Sequence, residues 1–212
     1  MFCEVIRNCC SLTTLSLLRD SAIGSEKWHF KYPAGVPLEE KHPKLDIIDG
    51  RIKEEFLFGL SCAILTNVYD QGGKDYFHPH VFYCGISIKD KYRKDNTHTD
   101  HEDIPNSIKV LGILNDEWKE EWGGGFIHGG NIVRLNPGDF CIFDPRVPHA
   151  AEDITTDIKR QKVLLLLFKS FGDGKYSNQS IYECADDWCS KQVTTNGIVN
   201  YYKAYYTGDK YK

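Results

Sequence analysis

The middle of the chain is a series of short, strongly apolar runs separated by turn residues. Residues 80–88, 108–114, 131–135 and 140–143 are rich in β-branched and aromatic side chains, which predicts strands. Residues 162–168 form a continuous apolar run, predicting a strand buried on both faces. Between the runs stand Gly123-Gly124-Gly125, Gly129-Gly130, Asn136-Pro137-Gly138-Asp139 and Asp144-Pro145, all turn signals. Many short strands at close intervals predict a sandwich or barrel, not a parallel sheet with crossover helices. The expected fold class is mainly β with flanking helices, and a jelly roll is the expected architecture.

The pattern changes before and after this block. Leu12, Leu15, Leu17 and Leu18 follow Ser11 and predict a first helix. Ile52, Phe56, Leu57, Leu60 and Ile64 fall at helical spacing and predict a second over residues 49–67. Both are expected to pack on the outside of the sheet. The expected organisation is a helical extension over 1–73, a catalytic core over 74–170 and a Tyr-rich extension over 171–212, within one structural domain.

The strands make one small cluster chemically significant. His98-Thr99-Asp100 places an imidazole and a carboxylate on the same side of an extended segment. The third ligand must come from a distant strand folded back beside them, and His149 is the candidate. Two histidines and one carboxylate are the ligand set of the mononuclear facial triad that holds non-haem Fe(II). His98, Asp100 and His149 are therefore the expected metal ligands and catalytic residues. His101 would point away from Asp100, and Glu102 shares its face. His78-Pro79-His80 is a rival pair, read as a structural turn. His128, beside Gly129-Gly130, is read as a loop residue near the site or an exposed one. The basic run Lys159-Arg160-Gln161-Lys162 leads into the last apolar strand.

From about Tyr83 to Phe168 the chain resembles the double-stranded β-helix of the Fe(II)/2-oxoglutarate-dependent oxygenases, prolyl 4-hydroxylase type. The likeness rests on His98-Thr99-Asp100, then Leu111-Gly112-Ile113-Leu114-Asn115, Trp118 and Trp122. It continues through Gly123-Gly124-Gly125-Phe126, Leu135-Asn136-Pro137-Gly138-Asp139-Phe140-Cys141-Ile142-Phe143, His149 and the basic run. It implies Fe(II) as cofactor, with 2-oxoglutarate and O2 as cosubstrates, and hydroxylation of an unactivated C–H bond. It also implies a cation that binds the distal carboxylate of 2-oxoglutarate. Arg160 is the first choice, because a guanidinium matches a carboxylate bidentately, and Lys162 the second. Both stand slightly further past His149 than is usual in that family. Tyr92 resembles the tyrosines that line its cosubstrate pocket. The implied substrate is peptidyl, with proline the first expectation and a small molecule the other. A cupin-type metalloenzyme and a non-catalytic jelly-roll binding module are the alternatives.

Charge and cysteines narrow the setting. The net charge of −4 with mixed signs leaves no basic footprint for nucleic acid. No apolar run approaches the length of a membrane span. Cys62, Cys84 and Cys141 lie inside apolar runs, where free Cys behaves as a small hydrophobe, and Cys9 and Cys10 are adjacent. Only Cys184 and Cys189 suggest a pair. A reducing, cytoplasmic setting is expected, which also suits Fe(II). Thiol titration of the unfolded, unreduced protein should find most of the eight cysteines reactive. A protein with most of them in disulfides would overturn that expectation.

Overall fold

A computed structural model describes residues 2–30, 43–49, 53–72, 80–89, 95–100, 107–155 and 163–171. It contains ten strands: β1 (Cys3–Ile6), β2 (His29–Phe30), β3 (Pro43–Asp49), β4 (His80–Lys89), β5 (Ser107–Ile113), β6 (Phe126–His128), β7 (Asn131–Val133), β8 (Phe140–Phe143), β9 (His149–Ala151) and β10 (Val163–Phe171). Two helices, α1 (Leu12–Ile23) and α2 (Glu55–Gly72), lie between the early strands. The Ser11 hydroxyl accepts the Thr14 amide at 3.1 Å, satisfying a free donor at the start of α1. At its other end the Gly24 amide donates back to the Asp20 carbonyl.

The strands form two antiparallel sheets. The large one runs β1-β8-β5-β10-β4-β3-β2 and the small one β7-β6-β9. From β4 onward the chain passes back and forth between them, so strands distant in sequence become neighbours. β10 is inserted between β4 and β5, pairing with both.

Side-chain alternation along the large sheet divides the interior into two layers. Ile108 and Val110 of β5, with Phe140 and Ile142 of β8, face outward. There they meet Leu15, Leu18 and Ala22 of α1 and Ile64, Leu65 and Val68 of α2 in one buried cluster. Ile113 of β5, with Cys141 and Phe143 of β8, faces inward and packs against Phe126 of β6. The Phe126 and Phe143 ring centroids are 4.4 Å apart across the gap between the sheets. The helices thus close one face of the large sheet and the small sheet the other.

The helices lie where the apolar spacing places them, but two features differ from the reading of the sequence. The second helix begins at Glu55, because residues up to Asp49 are held in β3 by pairing with β4. Its Phe56 is exposed, while Leu57, Ile64, Leu65 and Val68 form the buried stripe. The N-terminal segment also supplies β1, β2 and β3 to the large sheet. β1 is secured by Asp139, whose carboxylate accepts the Asn8 and Asn136 amides at 2.9 and 3.0 Å and pairs with Arg7 at 2.6 Å. All six described cysteines are free thiols, and Cys184 and Cys189 lie outside the described residues.

Gly112 permits the closest approach of β5 to β8. A Cβ there would overlap the ring of Phe140, which is fully buried and has no room to turn. Gly112→Ala is expected to destabilise the fold by about 1–3 kcal/mol through overpacking, read as a lower denaturant midpoint. An unchanged midpoint would show that the layer under α1 and α2 can repack.

Candidate metal centre

The small sheet is extended past β9 by one bridge to the segment that carries the first two expected ligands. His98 and His149 exchange both backbone hydrogen bonds, at 3.0 and 2.8 Å. Residues so opposed in an antiparallel pair project side chains from the same face. The two rings accordingly stand 4.7 Å apart, tilted by 51°. The Asp100 amide donates to the Pro145 carbonyl at 2.8 Å, fixing the carboxylate beside them. The approach to His98 is tied down as well. Lys89, at the end of β4, donates to Asp95 at 3.3 Å and to the Ala151 carbonyl at 3.1 Å.

The ligand atoms converge. One donor atom each from His98, Asp100 and His149 lies within 4.8 Å of the others. Asp100 Oδ2 is 3.3 Å from His149 Nε2 and 3.8 Å from His98 Nε2. Each ring is oriented by its other nitrogen. Nδ1 of His98 meets the Asn96 carbonyl at 2.9 Å, and Nδ1 of His149 meets the Val147 carbonyl at 2.8 Å. A carbonyl only accepts, so both Nδ1 atoms carry the proton and both Nε2 lone pairs face Asp100. Partial burial, with His149 and Lys109 nearby, holds the His98 imidazole below its ordinary pKa, against the opposing Asn96 hydrogen bond. A neutral imidazole is the form that coordinates a metal. The donor set therefore fits a divalent ion. Among the described residues no fourth His, Cys, Asp or Glu joins the three, and a cupin-type centre would need one.

Two further side chains stand beside the triad: His128, expected in a loop near the site or exposed, and Lys109, which was not anticipated there. His128 sits in β6, opposite His149, rather than in a loop. Its Nε2 meets the Asp144 carbonyl at 3.1 Å, so that nitrogen carries the proton and is turned away from metal duty. Lys109 of β5 is buried, and its ammonium pairs with Asp100. The available signal was a lysine among apolar residues on a central strand.

Behind Phe126, whose ring centroid lies 5.9 Å from that of His149, a cavity of about 340 Å³ extends between the sheets. Leu111, Ile113, Trp118, Phe126 and Ala151 are among its lining residues, and Arg7 and Arg134 stand at its polar end. Each arginine is already paired, Arg7 with Asp139 and Arg134 bidentately with Glu152. Arg160, Lys162 and Tyr92, expected to hold the cosubstrate, lie outside the described residues, as does His78 of the rival pair.

No protein-family model matches the chain, and no curated protein matches it. Solved structures do. A non-haem α-ketoglutarate-dependent carbocyclase from nogalamycin biosynthesis superposes with a TM-score of 0.58 at 13% identity, covering 84% of this chain and 85% of that one. The viral collagen prolyl hydroxylase of Paramecium bursaria Chlorella virus-1 gives 0.55 at 11%, covering 81% and 97%. A Pseudomonas putida prolyl-4-hydroxylase gives 0.52 at 12%, covering 80% and 92%. The fold of this chain is thus the one found in 2-oxoglutarate-Fe(II) oxygenases. Identities of this size establish shared architecture, and function has to be argued from the site.

The geometry predicts that the protein binds one divalent ion, Mn(II) being a convenient probe, and that His149→Ala abolishes stoichiometric binding by removing a ligand. Full metal content in His149→Ala, with loss in His78→Ala, would place the centre elsewhere.

Proposed function

We propose that this chain is an Fe(II)- and 2-oxoglutarate-dependent oxygenase that hydroxylates an unactivated C–H bond. The observation that carries the reading is the convergence of His98, Asp100 and His149, with both Nε2 lone pairs turned toward the carboxylate. The strand order supports it. The chain's passage between two antiparallel sheets from β4 to β10, with the His98 bridge as a further strand position, is compatible with a double-stranded β-helix.

In this reading His98, Asp100 and His149 hold the ion on one side and leave its other side open to ligands. Iron, when bound with 2-oxoglutarate and O2, would supply the oxidation of the C–H bond. The chain's own residues bind and orient. The backbone of the turn at 144–148 fixes Asp100 and His149 through the carbonyls of Pro145 and Val147. Phe126 and Phe143 pack their rings against His149, an apolar surface that would help to exclude water there. Arg160, or Lys162 in its place, would anchor the distal carboxylate of 2-oxoglutarate, and Tyr92 would line the same pocket. A peptidyl prolyl residue is the first substrate to test, because two of the superposed structures are prolyl hydroxylases. A small molecule is the second, because another is a carbocyclase from nogalamycin biosynthesis.

Succinate release from 2-oxoglutarate tests the reading. The wild-type protein with Fe(II) should form succinate, and His149→Ala should form none above the metal-free background. Equal succinate from both proteins, or none from the wild type with peptidyl proline present, would overturn it. Arg160→Ala should raise the 2-oxoglutarate requirement by roughly 30- to 1000-fold, the loss of a charge-assisted contact of about 2–4 kcal/mol, with metal binding near normal. If only Lys162→Ala shows that effect, the anchor is the lysine.

A further inference from the structure

The wall of the candidate centre holds a cation that the proposed function leaves without a task. Lys109 is 4% exposed. Its ammonium pairs with Oδ2 of Asp100, the same oxygen that faces both imidazoles. The ammonium lies 6.0 Å from the centroid of the Phe143 ring, and that ring is 5.3 Å from His149. The charge is therefore fixed within the wall of the centre. Leu111 and Ile113 follow it on the same face of β5 and line the cavity.

We propose that Lys109 couples metal binding to the binding of a dianionic dicarboxylate at this centre. The proposal rests on the reading of the triad as a metal site. An ammonium beside the ligand carboxylate repels an incoming dication and shares the oxygen the dication needs, so it weakens the bare metal site. Once the ion is bound, the dication, one carboxylate and one ammonium leave two net positive charges at a place walled on one side by the buried His149 and Lys109. Uncompensated buried charge is costly, and a dianion cancels it. Without the lysine the net positive charge beside the ion falls by one, and a dianion gains less from it. Lys109 thus trades affinity for the ion alone against affinity for the ion with its anion. By linkage each of the two ligands then strengthens the other to the same extent. The group acts through charge and through the orientation of Asp100, and is a positioning residue.

Mn(II) affinity, measured by titration calorimetry or by loss of the free-ion EPR signal, tests this without turnover. Wild type, Lys109→Met, Lys109→Gln and Lys109→Arg are compared alone, with 2-oxoglutarate and with oxalate, correcting for Mn(II) chelated in solution. In wild type each dianion should tighten Mn(II) by about tenfold or more. Lys109→Met should bind Mn(II) alone about tenfold more tightly than wild type and keep less than about threefold of the gain from either dianion. Lys109→Arg should behave as wild type, and Lys109→Gln carries the test if the methionine variant does not fold. A merely structural lysine would leave every neutral variant binding Mn(II) no more tightly than wild type. That result, or a dianion gain retained in full, overturns the proposal while leaving the metal centre standing. The two readings fail separately. His149→Ala binding Mn(II) normally would sink the centre itself. A gain from oxalate but none from 2-oxoglutarate in wild type would remove the cosubstrate while supporting the role of Lys109.

Discussion

Two backbone hydrogen bonds between His98 and His149 hold the site together. They bring a segment that follows β4 into register with β9, a strand far along the chain. Directly opposed residues of an antiparallel pair carry their side chains on one face with Cβ atoms about 5 Å apart. That spacing, and no special feature of either side chain, is what lets two imidazoles address a single ion. The third group follows from the same pairing. Asp100 is the next residue on that face, and its amide is held by the turn between β8 and β9. The carbonyls of that turn also orient the rings of His149 and His128. One turn and one bridge therefore set the positions of His98, Asp100 and His149, and the same turn sets the tautomers of His149 and His128.

The parts of this arrangement legible in the sequence are those with a local physical cause. β8 coincides with the predicted apolar run at 140–143, and β4 and β5 begin within a residue of theirs, because β-branched and aromatic residues favour pleated, buried surface. The start of α1 was legible in Ser11 and the leucines behind it. The strands that escaped notice are β1, β2, β3, β6 and β9. All but β3 are four residues or shorter, and their pairing is dictated by partners elsewhere in the chain. Non-local pairing leaves little trace in a short window. The triad was legible as a set of residue types in order. That Lys109 stands among them was not, because burial of its neighbours on both faces hides which side of β5 is the inside.

The interior between the sheets divides into two environments. Around His149 the rings of Phe126, Phe143 and His128 make a dense aromatic lining. Beyond it, toward Arg7 and Arg134, the cavity becomes polar at a rim where charges are already matched. Among the described residues, the charge that reaches deepest toward the triad is that of Lys109. The same fold is found in prolyl hydroxylases and in a carbocyclase, so the fold alone does not fix the substrate.

The first strand has a consequence for how the molecule behaves in company. β1 lies at one margin of the large sheet and covers β8, whose four buried residues would otherwise present a flat, apolar row of unpaired amides and carbonyls. Such a row invites the strand of another molecule. β1 is itself a poor template. It is four residues long, carries Glu4, and is followed two residues past its end by Asn8, whose backbone is left-handed (φ 52°). The Asp139 carboxylate, by gripping Arg7 and Asn8, keeps that guard strand in place and so protects the molecule from self-association.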